Sequence, residues 1–401
     1  MELELYKFRG QDKSFVMEDI YRCSNTVFCT LSVDETNTEM DIYQRVLKKI
    51  TKTLDNDTHV LRAKQYDQNN YYYTNEKSKQ LAKKIVKIHD KELDYITMSR
   101  LLVKSELSCI IRIYKNNIHI GLTHLFHDGI NIVKIFTILL DKEIMDTSII
   151  PEFKYYPIIT ELSILPKTFQ LLSNIPKRNL SYDLDYKKHP LPIFHKKYLT
   201  KKSKIFEIKR YLENNNNGKF GYGATLAVIS ALFLLKYTTK NTLSIGLINA
   251  FTNSSIQRFN HFSACILIIQ RPSNWASFSF MEKIQNVSKQ VNHALLSYGK
   301  EQSMLFYLFT NIYEFDFYTN NYVDCICSCS PVKFPVMYNK KEAHIENILM
   351  LQTSMPLYIG YWTCNDTIHM TLYSRSYDIK VKESSKYIID TIAEKIKKIS
   401  N

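Results

Sequence analysis

Thr123-His124-Leu125-Phe126-His127-Asp128-Gly129 stands between an alternating apolar pattern and a strongly apolar stretch with helical spacing. Upstream, Leu107 to Tyr114 and Ile118 to Leu122 predict two strands around a Lys115-Asn116-Asn117 turn. His124 then falls where the second strand exits into a loop. Downstream, Ile130 to Leu140 predicts a helix. Imidazole is the side chain whose ordinary pKa lies near neutrality, so a His in this setting suits general-base chemistry. Asp128 is placed to pin the loop through an ion pair, and Gly129 leaves no Cβ where a helix start must come close to a ligand or another backbone. A plainer reading has His124 as a buried strand-end side chain and Asp128 as a helix cap. His127, a spacer residue, reads as packing or surface.

Other segments extend the pattern. Val27, Cys29, Leu31 and Val33 alternate on one strand face. Tyr43, Val46, Leu47, Ile50 and Leu54 recur at helical spacing, and Val60-Leu61-Arg62-Ala63 follows. In the second half, Gly221 to Leu232 reads as an apolar helix and Leu243 to Ala250 as a strand. Gln257 to Phe262 then forms a loop before an apolar strand from Cys265 to Ile269. Asp324 to Pro331 and Ile368 to Tyr373 read as later strands, and Ile388, Ile392, Ile396 and Ile399 mark a closing helix. Six of the ten Pro lie between Pro151 and Pro192, which reads as a long crossover between two halves.

His124 to Gly129 resembles the His-x-x-x-Asp-Gly motif of the acyl-CoA-dependent acyltransferase superfamily. That group includes chloramphenicol acetyltransferase, condensation domains of peptide synthetases, alcohol acyltransferases and wax ester synthases. The element order is similar along nearly the whole chain. The resemblance implies an α/β fold of two chloramphenicol acetyltransferase-like lobes, with mixed sheets flanked by helices and a tunnel at their interface. On that basis 1-150 is the N-terminal lobe with the motif, 151-200 the Pro-rich crossover, and 201-401 the C-terminal lobe. It further implies His124 as general base, Asp128 and Gly129 as support of the motif, and an acyl-CoA co-substrate with no tightly bound cofactor. Asn260 falls at the Asn of the family's Gly-Asn loop, and Ser328 near its Ser-Asn-Val-Pro-Gly-Pro strand end. Both are candidates for an oxyanion or substrate contact.

The departures from the family are specific. Thr123 replaces the first of two His that many relatives carry. Thr252 falls where an Arg commonly pairs with the motif Asp, leaving Arg258 as the nearest substitute, and Phe259 replaces the Gly of the Gly-Asn loop. No Asp-Phe-Gly-Trp-Gly sequence exists, which argues against the plant alkaloid and phenolic acyltransferases.

Composition narrows the class. Apolar residues make up 45% and charged residues 23%, enough to bury a core and too apolar for disorder. The length of 401 residues exceeds what a single core usually supports. The net charge of +14 would favour CoA phosphates, an anionic membrane face or nucleic acid. The basic residues read as spread along the chain, with no finger, homeodomain or RNA-binding aromatic motif, so nucleic acid is not an expected partner. The longest apolar run, Ala224 to Leu235, is short of the ~20 residues that span a bilayer. With charges interleaved from Met1 to Leu5, the expectation is a cytoplasmic protein with peripheral membrane contact at most. Eight Cys then read as reduced thiols; Cys325, Cys327 and Cys329 share a buried strand face and form no metal site.

The functional expectation is an acyltransferase moving an acyl group from acyl-CoA to an alcohol or amine acceptor, either small or lipid. Two alternatives stand beside it: a non-catalytic descendant that binds a ligand or protein, and a condensation-type amide-forming enzyme. Acyl length, acceptor identity and oligomeric state are not set by the sequence.

Overall fold

The computed structural model describes residues 4–8, 26–127 (except 35, 58 and 68), 135, 138–139, 194–216, 220–237, 241–250, 262–311, 324–331, 337–338, 341–350, 357–374 (except 365) and 385–400. The chain divides into two compact units. The first comprises 1–153, 252–261 and 332–353, and the second 154–251, 262–331 and 354–401.

In the first unit, β2 (Thr26–Ser32), β6 (Cys109–Tyr114) and β7 (Asn117–Thr123) form the centre of a five-stranded sheet. With β5 (Val86–Ile88) and β14 (His344–Met350), which follows the short antiparallel pair β12 (Met337–Tyr338) and β13 (Lys341–Glu342), its order is β14-β2-β7-β6-β5. The expected hairpin is present, its turn tightened to Lys115-Asn116, with Lys115 at φ 51. The Lys115 N–H donates to Glu39 at 2.7 Å and Asn116 Nδ2 to the Val33 carbonyl at 3.0 Å, which hold this uncommon conformation. Both faces of β2 are buried. The second face is covered by a helix, α3 (Tyr95–Ser105): Phe28 meets Tyr95 edge-on and Thr26 Oγ1 bonds Ser99 Oγ at 2.7 Å. Gly121 permits this approach, since a Cβ there would lie 3.0 Å from Met98 Cγ.

A helix, α1 (Glu39–Thr53), buries Ile42, Val46 and Ile50, so its inner stripe runs through Ile42 rather than Tyr43. Val60–Arg62 winds into a single 3-10 turn before the short β3 (Ala63–Gln65), because His59 caps it by accepting the Leu61 N–H. With β4 (Asn70–Tyr73) and β1 (Tyr6–Lys7), β3 forms a small sheet in the order β1-β4-β3. α2 (Ser78–Ile85) leads into β5.

The sequence reading assigns 332–353 to the C-terminal lobe, and here the structure differs. β14 pairs antiparallel with β2 and so belongs to the first unit. Strands consecutive in sequence usually pair or neighbour, and this pairing departs from that rule because backbone ladders between distant segments select it.

The second unit is built on a six-stranded mixed sheet ordered β10-β9-β11-β15-β16-β8. Its strands are β8 (Phe194–Lys201), β9 (Thr242–Ala250), β10 (Phe262–Gln270), β11 (Cys325–Pro331), β15 (Leu357–Cys364) and β16 (Thr367–Ser374). β11 runs parallel to both β9 and β15. The helices are α4 (Lys202–Asn215), α5 (Tyr222–Tyr237), α6 (Phe280–Asn311) and α7 (Ser385–Ser400). Alternate strand residues, including Ile245, Leu267, Cys327, Ile359 and Met370, enter one core with Ile205, Leu226, Val287 and Ile392 from the helices. α5 is apolar all round because it lies inside this core, as the run Ala224 to Leu235 requires. Cys325 and Cys327 are buried in the core with Cys329 packed against it.

Candidate functional site

His124 is the first residue past β7 and is 2% exposed. The turn that holds it is built by its neighbours. Thr123 Oγ1 accepts the Leu125 N–H at 3.3 Å, and the Phe126 N–H reaches the Thr123 carbonyl at 3.3 Å. Thr123 thus has a local task, the closing of this turn. The Thr123 N–H donates to the Ser108 carbonyl, tying the turn to the start of β6. Phe126 anchors the turn from below, its ring packing against Phe8 and Tyr71.

His127 is fully buried, as a packing residue should be, but its surroundings also bear on His124. Burial is the main cause that pushes its pKa down to about 3, with His59 and His124 nearby adding to the shift and the Ser108 backbone opposing it. His127 therefore stays neutral near pH 7. A neutral neighbour does not repel the imidazolium that His124 would become on accepting a proton. His59, which also caps the 3-10 turn, was not singled out from the sequence. It lies far upstream, and only the fold brings it near the motif.

The depressed pKa of His127 has a consequence for stability. The unfolded chain binds a proton near the ordinary 6.5 that the folded chain refuses until about 3. The His127 contribution is thus fully present above 6.5 and is lost as the pH falls through that window. Urea midpoints should drop less steeply from pH 6.5 toward 3 in a His127→Leu variant than in wild type; equal slopes would refute the assignment.

Of the supporting residues, Asp128 and Gly129 lie outside the described residues, as do Arg258 and Asn260. The expected helix from Ile130 to Leu140 is described at Ile135, Ile138 and Leu139, all helical. Ser328 belongs to the second unit, on the central strand β11. It is 7% exposed and lies opposite Gly360 of β15. The Tyr358 ring leans over Gly360, where a Cβ would meet Tyr358 Cε1 at 2.7 Å. That lean brings the phenol to the Ser328 hydroxyl, although burial still dominates and raises the Tyr358 pKa. Among the described residues no group of three or more His, Cys, Asp or Glu is arranged to hold a metal, and no helix is long and apolar enough to cross a membrane.

These features define a fold class: the chain has the two-lobed α/β fold of chloramphenicol acetyltransferase-like acyltransferases and condensation domains. Among solved structures it is similar to trichothecene 15-O-acetyltransferase TRI3 from Fusarium sporotrichioides, with 10% identity, a TM-score of 0.65, and 98% of this chain and 95% of that one covered. It is similar too to the first condensation domain of the CDA synthetase, at 10% identity and a TM-score of 0.61, covering 97% and 96%. A variant of the starter condensation domain of rhizomide synthetase in complex with C8-CoA matches at 7% identity and a TM-score of 0.58, covering 98% and 93%. At such identities the likeness is one of fold. No family model matches the sequence, and no curated protein does.

Proposed function

We propose that this protein transfers an acyl group from an acyl-CoA thioester to an alcohol or amine acceptor in the cytoplasm, with His124 as general base. The observation that carries this reading is the place of His124, buried at the exit of β7 in a fold shared with acyl-transferring proteins. In the reaction, His124 accepts the acceptor's proton as its oxygen or nitrogen attacks the thioester carbonyl. It then returns a proton to the leaving thiolate, and no acyl-enzyme bond forms. Asp128, with Arg258, would steady the loop, and Gly129 would leave room for the donor. Ser328 and Asn260 are the candidates to donate to the tetrahedral oxyanion, where one such donor is worth about 3 kcal/mol. Ser328→Ala should then lower kcat by about 10²–10³-fold with a smaller change in KM. An unchanged kcat would remove Ser328 from that role.

The test is thiol release from a panel of acyl-CoAs in the presence of pooled alcohols and amines. Acceptor-dependent release supports the proposal, while release only from a carrier-bound thioester would indicate the condensation-type alternative. A non-catalytic binding descendant is favoured by Thr252 and Phe259, which stand where relatives carry Arg and Gly. That reading expects saturable ligand binding with no thiol release from any donor.

A further inference from the structure

The division into units changes the picture of the charge. The first unit carries 26 Lys and Arg against 24 Asp and Glu, and the second 27 against 15. Nearly all of the excess therefore lies in the second unit, and much of it falls at one sheet edge. From Phe194 to Arg210, along edge strand β8 and into α4, stand seven basic residues and one acidic residue, Glu207. Lys204 is engaged by Asp390 and Lys209 by Glu213. Lys201 and Arg210 are exposed and Lys202 half-buried.

Two apolar side chains stand out of this basic segment. Phe206 on α4 is 45% exposed; Leu199 on β8 is 47% exposed but faces away from the helices, since it lies opposite His369 while its neighbour Thr200 lies opposite Ile368 of the helix-covered core. Lys202, Phe206 and Arg210 are spaced four residues apart, so they form one stripe along the helix. Lys202 Nζ lies 5.6 Å from the centre of the Phe206 ring, whose other contact is a tilted one with Tyr222. The ring is held in place while much of it remains in water.

We infer that the exposed stripe of α4 docks this protein on an anionic phospholipid surface. Lys202 and Arg210 face the headgroups, and Phe206 between them enters the headgroup boundary. Each Lys or Arg close to an anionic leaflet raises partitioning about fivefold. A polynucleotide would engage the same cations, but it stacks successive bases on several rings, and among the described residues of this segment Phe206 is the one exposed aromatic. The inference does not rest on acyl transfer and would hold for a binding protein as well.

The test is flotation of the full chain with vesicles of phosphatidylcholine, with and without phosphatidylserine, across a salt series. Binding should require phosphatidylserine and weaken as salt rises. Lys202→Ala with Arg210→Ala should lower partitioning about 25-fold. Phe206→Ala should lower it with the salt slope unchanged. Lys83→Ala with Lys87→Ala, exposed on α2 and β5 of the first unit, should have no effect; circular dichroism confirms that each variant is folded. No binding, binding indifferent to phosphatidylserine, or equal loss in both Lys pairs overturns the assignment. Retention on single-stranded RNA without vesicle binding would also overturn it, in favour of a nucleic-acid face.

Discussion

Replacing His124 by Ala is expected to reduce acceptor-dependent thiol release by about 10²–10⁴-fold, the usual contribution of a positioned general base. The expectation follows from the geometry of the turn. His124 is fixed by the Thr123 and Ser108 contacts and by the Phe126 anchor, and its neighbour His127 is neutral. Slow release that does not depend on acceptor should be the same in both proteins, because water attack at the thioester needs no residue in the loop. His124→Gln tests the point from another side: it retains hydrogen-bonding capacity but cannot accept a proton near neutrality. Gln activity equal to Ala assigns proton transfer to His124. Gln activity near wild type would reduce His124 to an orienting role and remove the general-base mechanism.

Arg62→Ala should be the most damaging substitution for stability in the first unit, at about 3–5 kcal/mol. Arg62 is 3% exposed, and its guanidinium closes a knot between three segments. Nε donates to the Leu54 carbonyl at 2.8 Å, and Nη1 to the carbonyls of Thr74 and Glu76, each at 2.8 Å. Nη2 reaches Ser78 Oγ at 3.0 Å and the Leu54 carbonyl again. The Leu54 carbonyl is one of the orphan acceptors at the end of α1, so the Arg also serves as its cap. Removing it leaves buried carbonyls without a charged donor. Asp57, 3.9 Å away and 92% exposed, adds little. Arg62→Lys should recover less than half of the loss, since an ammonium cannot fork to three carbonyls at fixed angles. Urea unfolding followed by far-ultraviolet circular dichroism measures both; a loss below about 1 kcal/mol would show that water replaces the guanidinium.

The strand before His124, the hairpin turn and the loop exit were legible because alternation and turn residues act over a few positions. The closing helix and the apolar α5 were legible for the same reason. Val46, Ile50 and Leu54 of the expected stripe are buried, while Ile42 takes the place expected for Tyr43, since both fit an apolar period and only packing chooses between them. The 3-10 turn at Val60–Arg62 was hidden because its cap is a side chain, His59, and not a propensity.

The sequence by itself determined the two-lobed fold class, the position of His124 at a strand exit, and the shared buried face of Cys325, Cys327 and Cys329. The last two follow from local period and residue chemistry; the first rests on the resemblance of His124 to Gly129 and of the element order to the acyltransferase superfamily. Only the tertiary structure decided that β14 crosses back to the first unit, that His59 comes close to the buried His127 of the motif, and that the charge gathers on β8 and α4. These depend on contacts between residues far apart in the chain, which packing and hydrogen-bond ladders select and no short window of sequence contains.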